Sequence, residues 1–346
     1  MKALLLSKYR SLEITDVPAP TPVRDEILIR VAACGICGSD VHGYDGSSGR
    51  RIPPIVMGHE AAGTVAAVGK DVKNFKVGDR VTFDSTLYCG ACRNCIRGDV
   101  NLCDNRQVFG VSCGDYRRAG AFADFVVVPA RIAYRLPDAL SFEEAAMLEA
   151  VSVALHAVSL VPIAPDSTAL VVGAGTIGLL LLQALRAAGC SRVFVSDVDL
   201  TRLKLAQELG ATAVWPAGSE CEQQVLRATK GMGVDIAVEA AGINATVRAA
   251  IDSVRKGGNV VLVGNISPEV TLPLQKVVTR QIRLQGSCAS AGEYLRAIEL
   301  MSEGKIRVMP LITAIAPLEE GPQWFERLYA REPNLMKVIL APGKLS

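Results

Sequence analysis

Four cysteines stand in one short stretch, CGACRNCIRGDVNLC, at positions 89, 92, 95 and 103. The C-x2-C-x2-C-x7-C spacing, in a loop rich in Gly, Asn and Asp, is metal-ligand spacing. Four thiolates suit tetrahedral Zn2+ and leave no open coordination position, so Cys89, Cys92, Cys95 and Cys103 are expected to hold a structural zinc. An iron–sulfur cluster is the rival, but no proline follows the last cysteine and no second cluster set appears. A disulfide framework fits poorly. The opening MKALLLSKYRSLEI has an apolar run too short for a signal peptide, and in a reducing cytoplasm clustered cysteines serve metals or catalysis.

A second constellation is looser. Cys37, Ser39, Asp40 and His42 stand in CGSDVH, His59 and Glu60 follow in GHE, and Glu149 lies further on. A thiolate, an imidazole and a carboxylate form a three-ligand set that leaves one position for water or substrate, which is the arrangement of a catalytic zinc. A third motif, Gly173-Ala174-Gly175-Thr176-Ile177-Gly178, falls between the apolar run ALVV and an apolar helix. The acidic Asp197 ends the next strand, 19 positions after Gly178. In that context Gly173 permits a tight turn, Gly175 lets the backbone approach a pyrophosphate, and Gly178 lets helix and strand pack closely. Asp197 is expected to accept from both adenosine ribose hydroxyls and to repel the 2′-phosphate of NADP, which favours NAD. Arg202 would flank the adenine or tolerate a 2′-phosphate. Val263 and Gly264, ending the run NVVLVG, complete the expected cofactor-binding residues.

These residues need elements to hold them. At 346 residues the chain is too long for one core and suggests two domains. The first 150 or so residues read as β-rich, with EILIRVAA, GTVAAVG, DRVTF and ADFVVV separated by Pro, Gly and Asp turns. From about residue 168 strands alternate with helices: ALVVG, RVFVSD, ATAVW, VDIAVEA, NVVLVG and IRLQGS describe a doubly wound parallel sheet. A looped segment separates the last two. The final strands, ITAIAP and KVILAP, are expected to return to the first domain. The apolar stretch ALVVGAGTIGLLLLQAL is interrupted by glycines and carries Gln183, which excludes a membrane span. A formal charge of +2 gives no electrostatic reason to expect nucleic acid or an anionic membrane as partner.

On CGICGSDVHGYDG, PPIVMGHEAAGTVAAVG, VGDRV, the four-cysteine loop, GAFADFVVVP, MLEAVSVALHA and VVGAGTIG, the chain resembles the zinc-containing medium-chain alcohol and polyol dehydrogenases along essentially its full length. It is most similar to their sorbitol and threonine dehydrogenase branch. The resemblance implies an α/β plus β architecture: a GroES-like catalytic domain over 1–152, an inserted Rossmann domain over 153–287, and a return to the first domain over 288–346. It implies two Zn2+ per chain and NAD, with Cys37, His59 and a carboxylate on the catalytic zinc. That carboxylate is Glu60, with Glu149 holding the zinc water, or Glu149 itself. Ser39 would take the alcohol's proton and pass it, by way of the nicotinamide ribose hydroxyl, toward His42. The reaction implied interconverts a secondary alcohol of a polyol or sugar-derived substrate and its ketone, in a cytoplasmic homo-oligomer, a tetramer or dimer.

Departures from relatives narrow the substrate. Glu149 stands where alcohol dehydrogenases in the narrow sense have a second cysteine. Gly43 replaces the tyrosine usual in sorbitol dehydrogenases, and their arginine after the last Rossmann strand is absent from GSCASAGEY. Alternatives are a sugar-phosphate dehydrogenase of the galactitol-1-phosphate kind, served by Arg50–Arg51 or Arg117–Arg118, and an L-threonine dehydrogenase. Isolated basic pairs are otherwise solvated surface. A nucleotide-binding redox sensor would show erosion of the Cys/His/Glu set, which is intact here. His156, in VALHAVSL, reads as a core histidine, and Cys113, Cys190, Cys221 and Cys288 as structural thiols.

Overall fold

Alternation in EILIRVAACG buries Ile27, Ile29 and Val31 on one face of the strand Glu26–Gly35, as a half-buried strand requires. A computed structural model, which describes residues 1–343, places this strand at the centre of a seven-stranded sheet. On one side lie Glu60–Val68, Arg80–Phe83 and Ala133–Arg135 in that order. On the other, Phe125–Pro129 pairs with its first half, and Lys337–Ala341 pairs with its last residues, followed by Ile312–Pro317. The two C-terminal strands thus lie in the same sheet as Glu26–Gly35. The register sets Gly35 opposite Glu60 on one edge and opposite Ile339 on the other. Around this sheet Leu4, Leu6, Phe83, Phe109, Phe122 and Phe325 form the core, with Phe122 edge-on to Phe325 at 5.8 Å. Edge-to-face pairs of this kind add to the area they bury.

The second sheet has six parallel strands in the order Ala213–Pro216, Arg192–Asp197, Thr168–Val172, Val234–Glu239, Val254–Leu262, Arg283–Gly286. This is the doubly wound order in which the first strand lies in the middle and the chain reverses direction beside it. Thr168–Val172 is buried at every position, which explains its unbroken apolar run. The segment before the last strand, expected to be looped, contains the short helix Leu274–Thr279, set off by Pro273 at its N-cap.

By contacts the chain divides into two units. One comprises Met1–Glu149, Tyr294–Ser302 and the residues from Val308 on; the other comprises Ala150–Glu293 and Glu303–Arg307. The segment Glu303–Arg307 stays with the second unit, where the Arg307 amide donates to Gln183 Oε1 at 2.7 Å. Residues 344–346, the end of the expected return segment, lie outside the described residues. Among the described residues, no helix is long and apolar enough to cross a membrane.

Candidate functional site

Cys37 caps the N-terminus of the helix Gly38–Tyr44: its sulfur accepts from the Ser39 amide at 3.5 Å, while Asp40 Oδ2 accepts from the Cys37 amide at 3.2 Å. Glu60 opens the neighbouring strand Glu60–Val68 and His59 immediately precedes it; they are 1% and 5% exposed. The ligand atoms of Cys37, His59 and Glu60 all lie within 4.8 Å of one another. Soft sulfur, imidazole and carboxylate donors at such separations fit a Zn2+ ion. His59 Nδ1 is buried 3.4 Å from Asp40 Oδ1, with no hydrogen bond of better geometry. Burial alone would lower the His59 pKa, but the Asp40 carboxylate outweighs it and holds the imidazole's pKa well above normal. Asp40, wholly buried, would be raised by desolvation, yet His59 and Arg51 hold its carboxyl well below the usual range.

Glu60 carries a partner that sequence reading missed. Lys337 Nζ donates to Glu60 Oε2 at 2.6 Å and to the Ile36 carbonyl at 3.2 Å, with both side chains almost fully buried. Burial alone would lower the Lys337 pKa; electrostatic interaction with Glu60 and Cys37 beside it raises it instead. Room for the carboxylate comes from Gly35, where an added Cβ would lie 2.3 Å from Glu60 Oε2. Glu149, in the first turn of Leu148–Ser159, lies outside the donor cluster of Cys37, His59 and Glu60. Its Oε1 accepts from Ser85 Oγ at 3.2 Å, and burial raises its carboxyl pKa, with the His59, Glu60 and Lys337 charges also acting on it. Ser39 and His42 are exposed, three positions apart on the helix Gly38–Tyr44 and so on one face of it.

The four-cysteine loop brings its sulfurs together without a disulfide. Cys92 and Cys95 sulfurs are 3.5 Å apart, and Cys89 and Cys95 sulfurs 3.9 Å. A tetrahedron of roughly 2.3 Å Zn–S bonds has sulfur separations of about 3.8 Å, so the knot has the size for the ion. Amides of Ala91 and Cys92 donate to Cys89 and pull its thiol down to about 6, whereas desolvation and the neighbouring sulfurs push Cys95 up to about 12.

In the second unit Gly173 has φ +101°, and a Cβ at Gly178 would lie 1.8 Å from the Gly173 carbonyl oxygen, so turn and helix contact both require glycine. Gly175 faces open space and caps Thr176–Ala187 without a side-chain bond, leaving the amides at Thr176 and Ile177 for an anion. Asp197 accepts from the Ala174 amide at 2.5 Å and the Asp199 amide at 2.8 Å, one on each oxygen, which fixes its carboxylate beside the glycine turn. Arg202 lies 3.6 Å from the Asp199 carboxylate on the same helix end, with both side chains partly exposed. Val263 and Gly264 both donate backbone N–H groups to the Glu239 carbonyl, and a Cβ at Gly264 would lie 2.2 Å from the Gly242 amide nitrogen.

Three further residues settle elsewhere. His156 bonds Glu293 at 2.8 Å in the second unit. Arg51, half of the first arginine pair, is 4% exposed and bound to Asp40 at 3.0 Å, which takes it away from a solvent-facing phosphate. Arg117 donates to the Pro54 carbonyl at 2.7 Å.

Residues 23–138 match the alcohol dehydrogenase GroES-like domain and residues 176–303 the zinc-binding dehydrogenase domain. Sorbitol dehydrogenase of Bacillus subtilis (strain 168) is 35% identical, covering 99% of this chain and 98% of its own length. L-idonate 5-dehydrogenase of Vitis vinifera is also 35% identical, over 90% of this chain and 86% of its own. The crystal structure of an Escherichia coli oxidoreductase/dehydrogenase of unknown specificity, 33% identical, superposes with a TM-score of 0.94 over 99% of both chains. The matched domains fall on the GroES-like and Rossmann regions in turn, and the alignments run nearly end to end. The chain belongs to the zinc-containing medium-chain alcohol and polyol dehydrogenase family.

Proposed function

We propose that the protein interconverts a secondary alcohol of a polyol or sugar-derived substrate and its ketone, using NAD as the hydride carrier. The observation that carries this reading is the gathering of Cys37, His59 and Glu60 donors within 4.8 Å on a GroES-like unit whose chain also contains a complete dinucleotide loop. When bound, Zn2+ supplies a Lewis acid that makes the substrate hydroxyl more acidic, and NAD+ supplies the hydride acceptor.

The rest is the work of this chain's residues. Cys37, His59 and Glu60 would hold the zinc, Lys337 and Gly35 orient Glu60, and Glu149 would supply a carboxylate to hold a water near it. Ser39 receives the hydroxyl proton, and His42, one turn on along the same helix face, delivers it to solvent. Asp197 takes the adenosine ribose hydroxyls and disfavours a 2′-phosphate. The four-cysteine zinc is structural and sets no chemistry. The first unit is the catalytic domain and the second the cofactor domain, in a cytoplasmic homo-oligomer.

Sorbitol and idonate are the substrates of relatives; Gly43 and the missing arginine separate this chain from the sorbitol pattern. A screen of NAD+ reduction across polyols, hexitol phosphates, 2,3-butanediol and L-threonine tests the reading. Turnover is expected with an unphosphorylated polyol. Turnover with a hexitol phosphate or L-threonine alone would reassign the substrate class, and no NAD+ reduction with any of them would defeat the proposal.

A further inference from the structure

Arg51 is held in a way that surface arginines are not. Its backbone forms a bridge with Ser112, flanked by Ser112 N–H donating to the Arg50 carbonyl at 3.2 Å and Ile52 N–H to the Ser112 carbonyl at 3.0 Å. From there its stem crosses the helix Gly38–Tyr44 at Gly43. A Cβ on Gly43 would lie 2.0 Å from Arg51 Cγ and 2.8 Å from Arg51 Cβ, so any side chain at 43 closes the path. The guanidinium then reaches two residues of the first turn. Nη2 donates to Asp40 Oδ1 at 3.0 Å and to Ser39 Oγ at 3.4 Å, Nε lies 3.4 Å from the same Asp40 oxygen, and Nη1 donates to the Arg50 carbonyl at 3.1 Å.

Asp40 in turn touches two of the gathered metal donors. Its Oδ2 accepts from the Cys37 amide at 3.2 Å, and Oδ1, the oxygen Arg51 binds, is 3.4 Å from His59 Nδ1. One guanidinium therefore borders both the group that orients a metal-binding imidazole and the hydroxyl assigned to proton transfer. A hydroxyl has one proton to give and two acceptor sites, whereas arginine only donates. With Arg51 on one acceptor site of Ser39, one lone pair remains for an incoming proton and the hydroxyl hydrogen is steered away from the guanidinium. Without it, the exposed Ser39 side chain samples its three rotamers freely. A buried Asp–Arg pair can equally be scaffold alone; the shared Nη2 between Asp40 and Ser39 is what goes beyond scaffold.

We propose that Arg51, admitted by Gly43, is a positioning residue that sets the Ser39 hydroxyl for proton transfer and, through Asp40, the orientation of His59. This rests on the reading of Ser39 as the proton acceptor. The test uses the zinc-loaded enzyme with NAD+ and the fastest alcohol of the screen above, in a cycle of Arg51→Ala, Ser39→Ala and the double variant. Arg51→Ala is expected to lower kcat by roughly tenfold or more with KM within about twofold, and to lose zinc to a chelator roughly 10–100-fold more readily. In the Ser39→Ala background the same change should cost kcat less than about threefold, because residues acting as a unit are not additive. Arg51→Lys keeps the ion pair but lacks the fork, so it should restore zinc retention and leave kcat low. If Arg51→Ala fails to fold, Arg51→Lys carries the same cycle. Equal kcat losses in both backgrounds, or no kcat loss, overturn the proposal while Ser39→Ala remains impaired. Ser39→Ala at wild-type kcat defeats the Ser39 reading itself, and this proposal with it.

Discussion

Replacing Lys337 by methionine keeps most of the side chain's volume and removes its charge. Glu60, 1% exposed, then loses the cation 2.6 Å from its Oε2, and the Ile36 carbonyl loses a donor. Removing one partner of a buried ion pair costs about 3–5 kcal/mol, because the survivor is left uncompensated in a poorly polarisable interior. Zn2+ beside Glu60 would offset part of this, so the lower end, about 3 kcal/mol, is expected of the zinc-loaded protein. For a domain of 150–250 residues each kcal/mol lowers the melting temperature by roughly 2–4 °C, giving a fall of roughly 6–12 °C in the transition of the first unit. Lys337 has a raised pKa in the folded state, so its contribution is fully present below the ordinary lysine pKa and fades only as pH rises through the folded value. The difference between wild type and Lys337→Met should therefore be constant from pH 6 to 9. Glu60→Gln with Lys337→Met removes both charges and should cost less than the two single changes together, by about 2 kcal/mol or more. Calorimetry of the four proteins reads this directly. A Lys337→Met transition within about 2 °C of wild type, or strict additivity in the double variant, refutes the reasoning.

Other expectations follow from single contacts. Gly35→Ala puts a methyl 2.3 Å from Glu60 Oε2, so the carboxylate must move; zinc analysis and turnover should both fall while the four-cysteine zinc stays. Asp197→Ser with a basic residue beside it should shift kcat/KM from NAD+ toward NADP+, and a wild-type enzyme that works better with NADP+ would show the strand end misread. Asp235 has its carboxyl lowered by Arg255 at 2.6 Å and by Thr168, against the desolvation that would raise it. Its contribution is present above the ordinary aspartate pKa and lost as pH falls through the folded value, so Asp235→Asn should flatten the acid limb of the second unit's stability curve below about pH 4.

Local features were legible in the sequence. The four cysteines lie within one loop, and Gly173 to Gly178 with Asp197 form one strand–turn–helix–strand unit, so spacing alone carries their geometry. That the second sheet is parallel and doubly wound followed from the alternation of strands and helices. What escaped depends on pairings across the chain. Lys337 is 277 residues from Glu60, and the one hint was a lysine opening the otherwise apolar strand KVILA. Arg51 looked like half of a surface pair because its burial is decided by the empty space at Gly43, a departure from the tyrosine of sorbitol dehydrogenases that had no evident cause in sequence. The gathering of Glu60 with Cys37 and His59, with Glu149 outside that cluster, escaped for the same reason: the strand register behind it is not written in either motif.

The central claim is two zinc ions per chain with unequal roles, and metal analysis of purified wild type and Cys37→Ser tests it most directly. Two zinc ions per wild-type chain are expected. The variant should keep one, its melting behaviour close to wild type, and no turnover, because the Cys89, Cys92, Cys95 and Cys103 site is untouched. A Cys37→Ser protein that retained both zinc ions and full turnover would contradict the account.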